Sequence, residues 1–202
     1  MRTMPDTTSM PDTTSMPDAV SMSDIGCLFL TRIASPVGEI LVVAERRPDG
    51  SLALAALDFC DYMDRMRRLL SRRFPALEWV EEGDPLDMTG RLARYFAGEG
   101  DAAFAGLAVS PGGTEFQARV WAALRAIPSG ETRSYGALAA AIGLPGGSRA
   151  VGHANSLNPV AIVIPCHRVI GSKSALTGYA GGLDRKRWLL DHERRASGAS
   201  LL

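Results

Sequence analysis

Beyond Gly113 the chain is cut by glycine- and proline-rich breaks into pieces that admit only short helices. The breaks are Pro128-Ser129-Gly130, Gly143-Leu144-Pro145-Gly146-Gly147 and Gly178-Tyr179-Ala180-Gly181-Gly182. The first piece opens on Thr114 with Gln117 three residues later, a capping box in which each side chain satisfies an orphan helix donor. Phe116, Val120, Leu124 and Ile127 then form one apolar stripe. Ser134 is placed to cap a second helix running through Leu138 to Ile142, and Ser148 a third, Arg149 to Ser156. Two short helices joined by a tight glycine turn suggest a helix-turn-helix, a signal that many small helical domains share. A last helix is expected from Leu183 to about Arg195.

The third helix is made of small residues: Ala150, Val151, Gly152, His153, Ala154 and Asn155. Gly152 costs such a helix about 1 kcal/mol against alanine, so a backbone approached closely is one reason for it. The approaching body is either an external partner or a neighbouring helix.

The first half reads differently. Folded sequence is expected from near Leu28, with strands over Gly38–Ala44 and Leu52–Phe59 around the hairpin residues Pro48-Asp49-Gly50. Residues 61–73 read as a helix with Tyr62, Met66, Leu69 and Leu70 on one face, stopped by Pro75. Another helix is expected from about Pro85 to Ala97, and residues 98–113, rich in Gly, Ala and Pro, read as a domain connection. The expected division is a tail over 1–24, an α/β domain over 25–110 and a helical domain over 111–202.

The tail carries the hexads MPDTTS, MPDTTS and MPDAVS, too poor in large apolar residues to offset the entropy of ordering them. Met1, Met4, Met10, Met16 and Met22 are each possible starts. The polar, acidic N-terminus is unlike a secretory signal, and no run approaches the roughly 20 apolar residues of a membrane span, so a cytoplasmic protein is expected. Net charge is zero but unevenly spread. Residues 111–202 hold 11 Lys and Arg against 5 Asp and Glu, and residues 1–110 hold 11 against 17. That asymmetry fits a C-terminal half that meets a polyanion, or simply solvated faces.

Three cysteines (Cys27, Cys60, Cys166) and three histidines (His153, His167, His192) form no zinc-like spacing, so no metal and no cofactor are expected. Cys27 and Cys60 have no polar company and read as small buried apolar residues. Cys166 is different. The apolar run Ala161–Ile164, read as a buried strand, leads into Pro165-Cys166-His167-Arg168-Val169. Nearby positive charge favours the thiolate, which is the nucleophile. Adjacent strand residues point to opposite sides, however, so Cys166 and His167 cooperate only if the chain turns there or a water links them. Glu193 falls in the last helical turn, where the helix dipole disfavours a carboxylate. It therefore wants a cationic partner or a task; His167 is one candidate, Arg194 and Arg195 the bland ones.

With these residues together, the sequence resembles the O6-alkylguanine-DNA alkyltransferase family. Ile164-Pro165-Cys166-His167-Arg168-Val169 looks like the active-site motif of that family. Gly130-Glu131-Thr132-Arg133-Ser134-Tyr135, Arg149-Ala150-Val151-Gly152 and Asn158-Pro159 lie upstream at family spacing; Gly178-Tyr179 and Trp188-Leu189-Leu190 with His192-Glu193 lie downstream. The match runs through residues 112–193, with a looser one at Ser35-Pro36-Val37-Gly38. The resemblance implies an α+β chain: a ribonuclease H-like α/β domain, then a winged helix-turn-helix-like domain bearing the active site.

It also implies roles. Cys166 accepts the alkyl group; His167 takes the thiol proton, through a water, and Glu193 orients His167. Tyr135 donates to the departing guanine, Arg149 fills the gap left by the flipped nucleotide, and Asn158 braces the turn before the active site. Ser134, Tyr135, Arg149, Ala150, Gly152, Ala154 and Asn155 form the DNA-binding set. Tyr179, Ala180, Gly181 and Val169 form the base pocket, with Ala180 standing where many relatives have Ser or Gly. The implied partner is double-stranded DNA containing O6-alkylguanine, met by a monomer, with O4-alkylthymine and cooperative binding left open. The implied enzyme is a methylated-DNA–protein-cysteine methyltransferase acting once per molecule, since a thioether offers no activated bond for water to attack.

Three rival readings are weaker. A non-catalytic DNA-binding regulator would not need Cys166, Tyr135, Arg149 and Glu193 together. A cysteine hydrolase using Cys166 and His167 would need an oxyanion hole and would turn over. A methyltransferase with an adenosyl donor would need a glycine-rich loop after an early parallel strand, and the paired glycines here sit before or between helices.

Overall fold

The computed structural model describes residues 27–76, 78–81, 83–172 and 175–198; the tail expected over 1–24 lies outside the described residues. The fold is mixed α+β. Its first half is a sheet of β1 (Leu28–Ile33), β2 (Ile40–Arg46), β3 (Leu52–Phe59) and β4 (Trp79–Val80), in the order β3-β2-β1-β4. The first three strands pair antiparallel and β4 joins β1 in parallel. The Asp49 carboxylate accepts from the Ser51 amide at 2.9 Å and Gly50 sits at φ 81°, which closes the expected hairpin.

β2 and β3 are apolar on both faces because both faces are covered. On one side Leu41, Val43 and Ala55 pack against Met66 and Leu70 of α1 (Met63–Leu70). On the other, Ile40, Val42, Leu54, Leu57 and Phe59 join a core that continues through Leu92 and Tyr95 to Val120, Trp121, Leu124 and Val151 of the C-terminal half. The sheet is thus the floor on which the C-terminal half rests.

Several expectations change here. β1 and β4 were not anticipated. The helix expected over 85–97 is α2 (Met88–Arg94), extended by a wide helical turn over Tyr95–Glu99. The segment read as a connection, 98–113, holds a 3-10 turn over Gly100–Phe104 and buries Ala103, Phe104 and Leu107. Its end runs along β3, where the Leu54 amide donates to the Ala108 carbonyl and the Ser110 amide to the Leu54 carbonyl, both at 2.8 Å.

The C-terminal half contains α3 (Glu115–Arg125), α4 (Tyr135–Ala141), α5 (Ser148–Ser156), α6 (Leu183–Ala196) and a parallel pair, β5 (Arg133–Ser134) with β6 (Val169–Ile170). Both capping-box bonds of α3 are present: Thr114 N–H to Gln117 Oε1 at 2.7 Å, and Gln117 N–H to Thr114 Oγ at 3.3 Å. Trp121 of α3 donates to the Ala154 carbonyl of α5 at 3.0 Å, tying the two helices together. Ser134 caps α4 through the Ala137 amide. Ser148 does not cap α5; Gly147 holds that position and Ser148 is the first helical residue, with no side-chain cap bond. No helix among the described residues is long and apolar enough to cross a membrane.

The largest departure precedes Cys166. Residues 161–164 are buried, as expected, but they form a turn rather than a strand. A short apolar run cannot be told from other buried segments by periodicity alone. Ile162 lies at φ 66°, a left-handed conformation that a β-branched residue rarely adopts. Two contacts hold it. The Asn158 amide donates to the Ile164 carbonyl at 2.8 Å while its oxygen accepts from the Val160 amide at 3.0 Å. The edge of β3 pairs with the start of the turn, Leu57 N–H to the Pro159 carbonyl and Ala161 N–H to the Leu57 carbonyl.

Candidate active site

The turn delivers Cys166 into a 3-10 helix over Cys166–Arg168. The chain therefore bends between Cys166 and His167, and strand alternation does not separate them. Cys166 is 5% exposed and His167 fully buried. His167 Nε2 lies 2.9 Å from Glu193 Oε1, while its Nδ1 has no hydrogen-bonding partner among the described residues. One imidazole nitrogen is thus anchored to a carboxylate and the other is left for exchange chemistry.

Glu193 is contacted from several sides. Its Oε2 accepts from Arg168 Nε at 2.8 Å and from the Gly130 amide at 3.3 Å. Its Oε1 accepts from Arg168 Nη2 at 2.8 Å and from the Tyr95 hydroxyl at 2.7 Å, besides facing His167. Burial alone would push this carboxyl up, but His167 and Arg168 together hold it well below the usual carboxylate range. The partner that the helix dipole demanded is Arg168, with His167; Arg194 pairs with Asp191 instead and Arg195 is exposed.

Arg168 also corrects an expectation. As the guanidinium next to the thiol it was counted among the groups favouring a thiolate. Instead it is taken up by Glu193, by Asp101 at 2.7 Å and by the Ile127 carbonyl at 2.6 Å. The cations that pull on Cys166 are Arg65 and Lys186, both far away in sequence. Burial, the largest influence, pushes the Cys166 thiol up, against opposing pulls from the Asn158 side chain and these cations. Arg65 is held by Asp58 at 2.5 Å and donates to the Ser156 and Asn158 carbonyls at 2.6 and 2.9 Å. Lys186 is fully buried and donates to the Val169 and Thr177 carbonyls at 2.6 and 2.8 Å; burial pulls its ammonium down to about 8. None of Tyr95, Asp101, Arg65, Asp58 and Lys186 was marked as a site residue from the sequence.

The proposed DNA-contacting residues divide. Ser134, Tyr135, Arg149 and Gly152 line one open groove with Ser148. Arg149, Ala150 and His153 are exposed on α5, whereas Ala154 and Asn155 are buried on its inner face. The helical period turns these last two toward α3, so they cannot meet a partner directly, and His153 takes the outward position instead. A Cβ at Gly152 would meet only the Tyr135 ring, at 3.7 Å, which is ordinary contact. Packing inside the protein therefore does not demand glycine there.

Tyr135 is half-buried, its hydroxyl 3.4 Å from the Gly178 carbonyl; burial, then charge at Cys166, pushes its phenol up, so it stays a donor. Tyr179 stands edge-on to the His167 ring at 6.4 Å between centroids, its buried hydroxyl without a partner among the described residues. Ala180 is half-buried beside it. Gly181 packs against Phe59, whose ring a Cβ would meet at 2.4 Å, and Val169 is fully buried in the core. Val169 thus belongs to the core, and Gly181 has no side chain with which to line a pocket. A larger cleft, between Arg73, Gln117 and Trp121, contains none of the expected site residues.

Cys27 is exposed and Cys60 half-buried, with Arg32 Nη1 3.8 Å from its sulfur, so neither is the buried apolar residue expected. Among the described residues no cluster of three or more His, Cys, Asp or Glu side chains could hold a metal. The chemistry these groups offer is deprotonation of a buried thiol by a carboxylate-anchored imidazole next to it in the chain, with the Tyr135 phenol near enough to feel charge at the sulfur.

Known proteins agree with that chemistry. Residues 115–195 match the family model described as 6-O-methylguanine DNA methyltransferase, DNA binding domain. The methylated-DNA–protein-cysteine methyltransferase of Salmonella typhimurium is 49% identical over 164 residues, covering 80% of this chain and 93% of its own. That of Methanosarcina acetivorans is 45% identical over 160 residues, covering 79% and 94%. Among solved structures, Mycobacterium tuberculosis OGT in complex with DNA is 41% identical, with a TM-score of 0.67 over 83% of this chain and 94% of that one. With relatives this similar matched over nearly their full length, the chain belongs to the methylated-DNA–protein-cysteine methyltransferase family.

Proposed function

We propose that this protein repairs double-stranded DNA by direct reversal, moving the alkyl group of O6-alkylguanine irreversibly to the sulfur of Cys166. The observation that carries the reading is the buried pair Glu193–His167, its imidazole in the same 3-10 turn as Cys166, with Tyr135, which lines a groove with Arg149, close enough to feel charge at that sulfur. Cys166 rests as a thiol because burial disfavours its charge. His167 takes the thiol proton as the sulfur attacks the alkyl carbon, and Glu193 stabilises the imidazolium that forms. The carbon–O6 bond breaks, and its electrons go to the guanine, which would leave poorly as an anion. Tyr135 donates a proton to the ring as the base departs, and the thiol proton on His167 restores the balance. The products are unmodified guanine and a thioether on Cys166. A thioether offers no activated bond for water to attack, so each molecule acts once. O4-alkylthymine carries the same alkyl–oxygen bond and is open to the same chemistry.

The target lies inside the duplex, so the nucleotide must be flipped out, at a cost of a few kcal/mol that is least for a poorly paired base. Exposed Arg149, at the start of α5, is suited to occupy the gap. We assign residues 25–110 as a ribonuclease H-like domain, and the β3-β2-β1-β4 order with α1 on one face supports this. We assign residues 111–202 as a winged helix-turn-helix domain, supported by α4 and α5 around the 143–147 turn with β5 and β6 as the wing. The test is single-turnover transfer from a duplex carrying one labelled O6-methylguanine. Label on protein at one equivalent, lost in Cys166→Ser, is expected; label released into solution or turnover beyond one equivalent would overturn the reading.

A further inference from the structure

We infer that Tyr95 of the N-terminal half is a positioning residue for the transfer, its hydroxyl tempering the Glu193 oxygen that anchors His167. The inference rests on the alkyl-transfer reading and adds a component to it. Tyr95 donates to Oε1, the same oxygen that faces His167 Nε2, and not to Oε2. A donor at that oxygen withdraws negative charge from the carboxylate edge on which the imidazole depends.

The tyrosine is built to stay there. It is fully buried, and its ring is wedged against Phe96, Phe104 and His192, with centroids 5.2, 5.5 and 5.5 Å away. Burial, then the charge of Glu193, pushes its phenol well above the ordinary value, so it donates throughout the neutral range. Among the described residues, the charged or titratable side chains that touch this carboxylate are His167, Arg168 and Tyr95. Asp101 acts through Arg168, Tyr179 stands edge-on to His167, His192 packs on the Tyr95 ring, and Lys186 on α6 is turned to the Val169 and Thr177 carbonyls. Tyr95 and Arg168 share Oε1 with His167.

The consequence has a sign. Because Cys166 rests as a thiol, the relay needs an unprotonated imidazole to receive its proton. Without the Tyr95 donor, more negative charge stays on Oε1 against the imidazole, and the relay accepts the thiol proton only at higher pH. Tyr95→Phe keeps the packed ring and removes the hydroxyl. Its acid limb for Cys166 methylation by O6-methylguanine duplex should move up by about 0.5–1 pH unit, with DNA affinity unchanged. The same shift should appear in modification of Cys166 by iodoacetamide, which needs no DNA. The full chain carrying 3-fluorotyrosine at position 95, a stronger donor, should shift the limb the other way and serves as a fold-preserving second variant. A profile that superimposes on wild type, or a rate lowered equally at every pH, would overturn the inference. Wild-type protein that takes no methyl from the duplex would instead overturn the alkyl-transfer reading, which the same series reports separately.

Discussion

The C-terminal half carries Cys166, His167, Glu193, Tyr135 and Arg149, and the N-terminal half carries none of the groups proposed to react. Yet several of the contacts that hold the site come from the N-terminal half. Tyr95 reaches Glu193, Arg65 holds the carbonyls of Ser156 and Asn158, Asp101 anchors Arg168, and the edge of β3 pairs with the turn before Cys166. Reactive groups clustered in one stretch of sequence still need a rigid surround, because an unheld imidazole or carboxylate loses its geometry and its shifted proton affinity together. Here part of that surround is supplied by a different part of the chain, across a shared hydrophobic core.

The strongest way to break this comparison is Glu193→Gln. It removes the anion that serves His167 and leaves buried Arg168 short of charge on both counts. Transfer should fall by about 100-fold or more, and stability by about 3–5 kcal/mol, read by single-turnover transfer and denaturant unfolding. A variant that loses stability but transfers at the wild-type rate would mean that Glu193 is structural only.

Arg65→Ala tests whether the N-terminal half matters to the chemistry. Asp58 would be left buried without its partner, and the Ser156 and Asn158 carbonyls without a donor. A loss of about 3 kcal/mol is expected, together with slower transfer in the folded protein. Unchanged transfer at saturating folded protein would make the two halves independent.

The halves should also differ in their response to acid. The folded Glu193 carboxyl is depressed, so its contribution is fully present above the unfolded value, about 4.3, and is lost as pH falls through the folded value. Burial raises Asp58 against the pull of Arg65, so its contribution runs the other way: it favours folding at low pH and is lost as pH rises through the raised value. Stability measured from pH 6 down to about 2 should therefore flatten in Glu193→Gln and steepen in Asp58→Asn, relative to wild type. Parallel curves would remove the distinction.

Smallest in energy is Gly152→Ala. It should stabilise the protein by up to about 1 kcal/mol, since nothing inside crowds that position, yet weaken binding to duplex DNA. Equal or tighter DNA binding would mean that the α5 backbone is not approached closely.

Much of the C-terminal half is legible in the sequence because its signals are local. The Thr114 capping box, the Ser134 cap, the glycine breaks and the contiguous Cys166-His167 pair each lie within a few residues. Even Glu193 could be marked as needing a cation from its place at a helix end. The supports could not be read, because they depend on contacts between positions far apart in the chain, 98 residues for Tyr95 and Glu193. The turn at 161–164 was read as a strand because an apolar run does not reveal that Asn158 and β3 take up its backbone groups. Ala154 and Asn155 were assigned to the DNA face with the rest of their small-residue helix, and the helical period placed them inside. The identity of the cation serving Glu193 was visible as a need, but choosing Arg168 over Arg194 required the fold.

The most direct measurement is intact-protein mass after incubation with duplex DNA carrying one O6-methylguanine, beside Cys166→Ser. The account predicts a single added methyl, mapped to Cys166, saturating at one per molecule and absent from the mutant. An unchanged mass in protein that still binds this DNA would contradict it and leave a damage-binding protein without transfer.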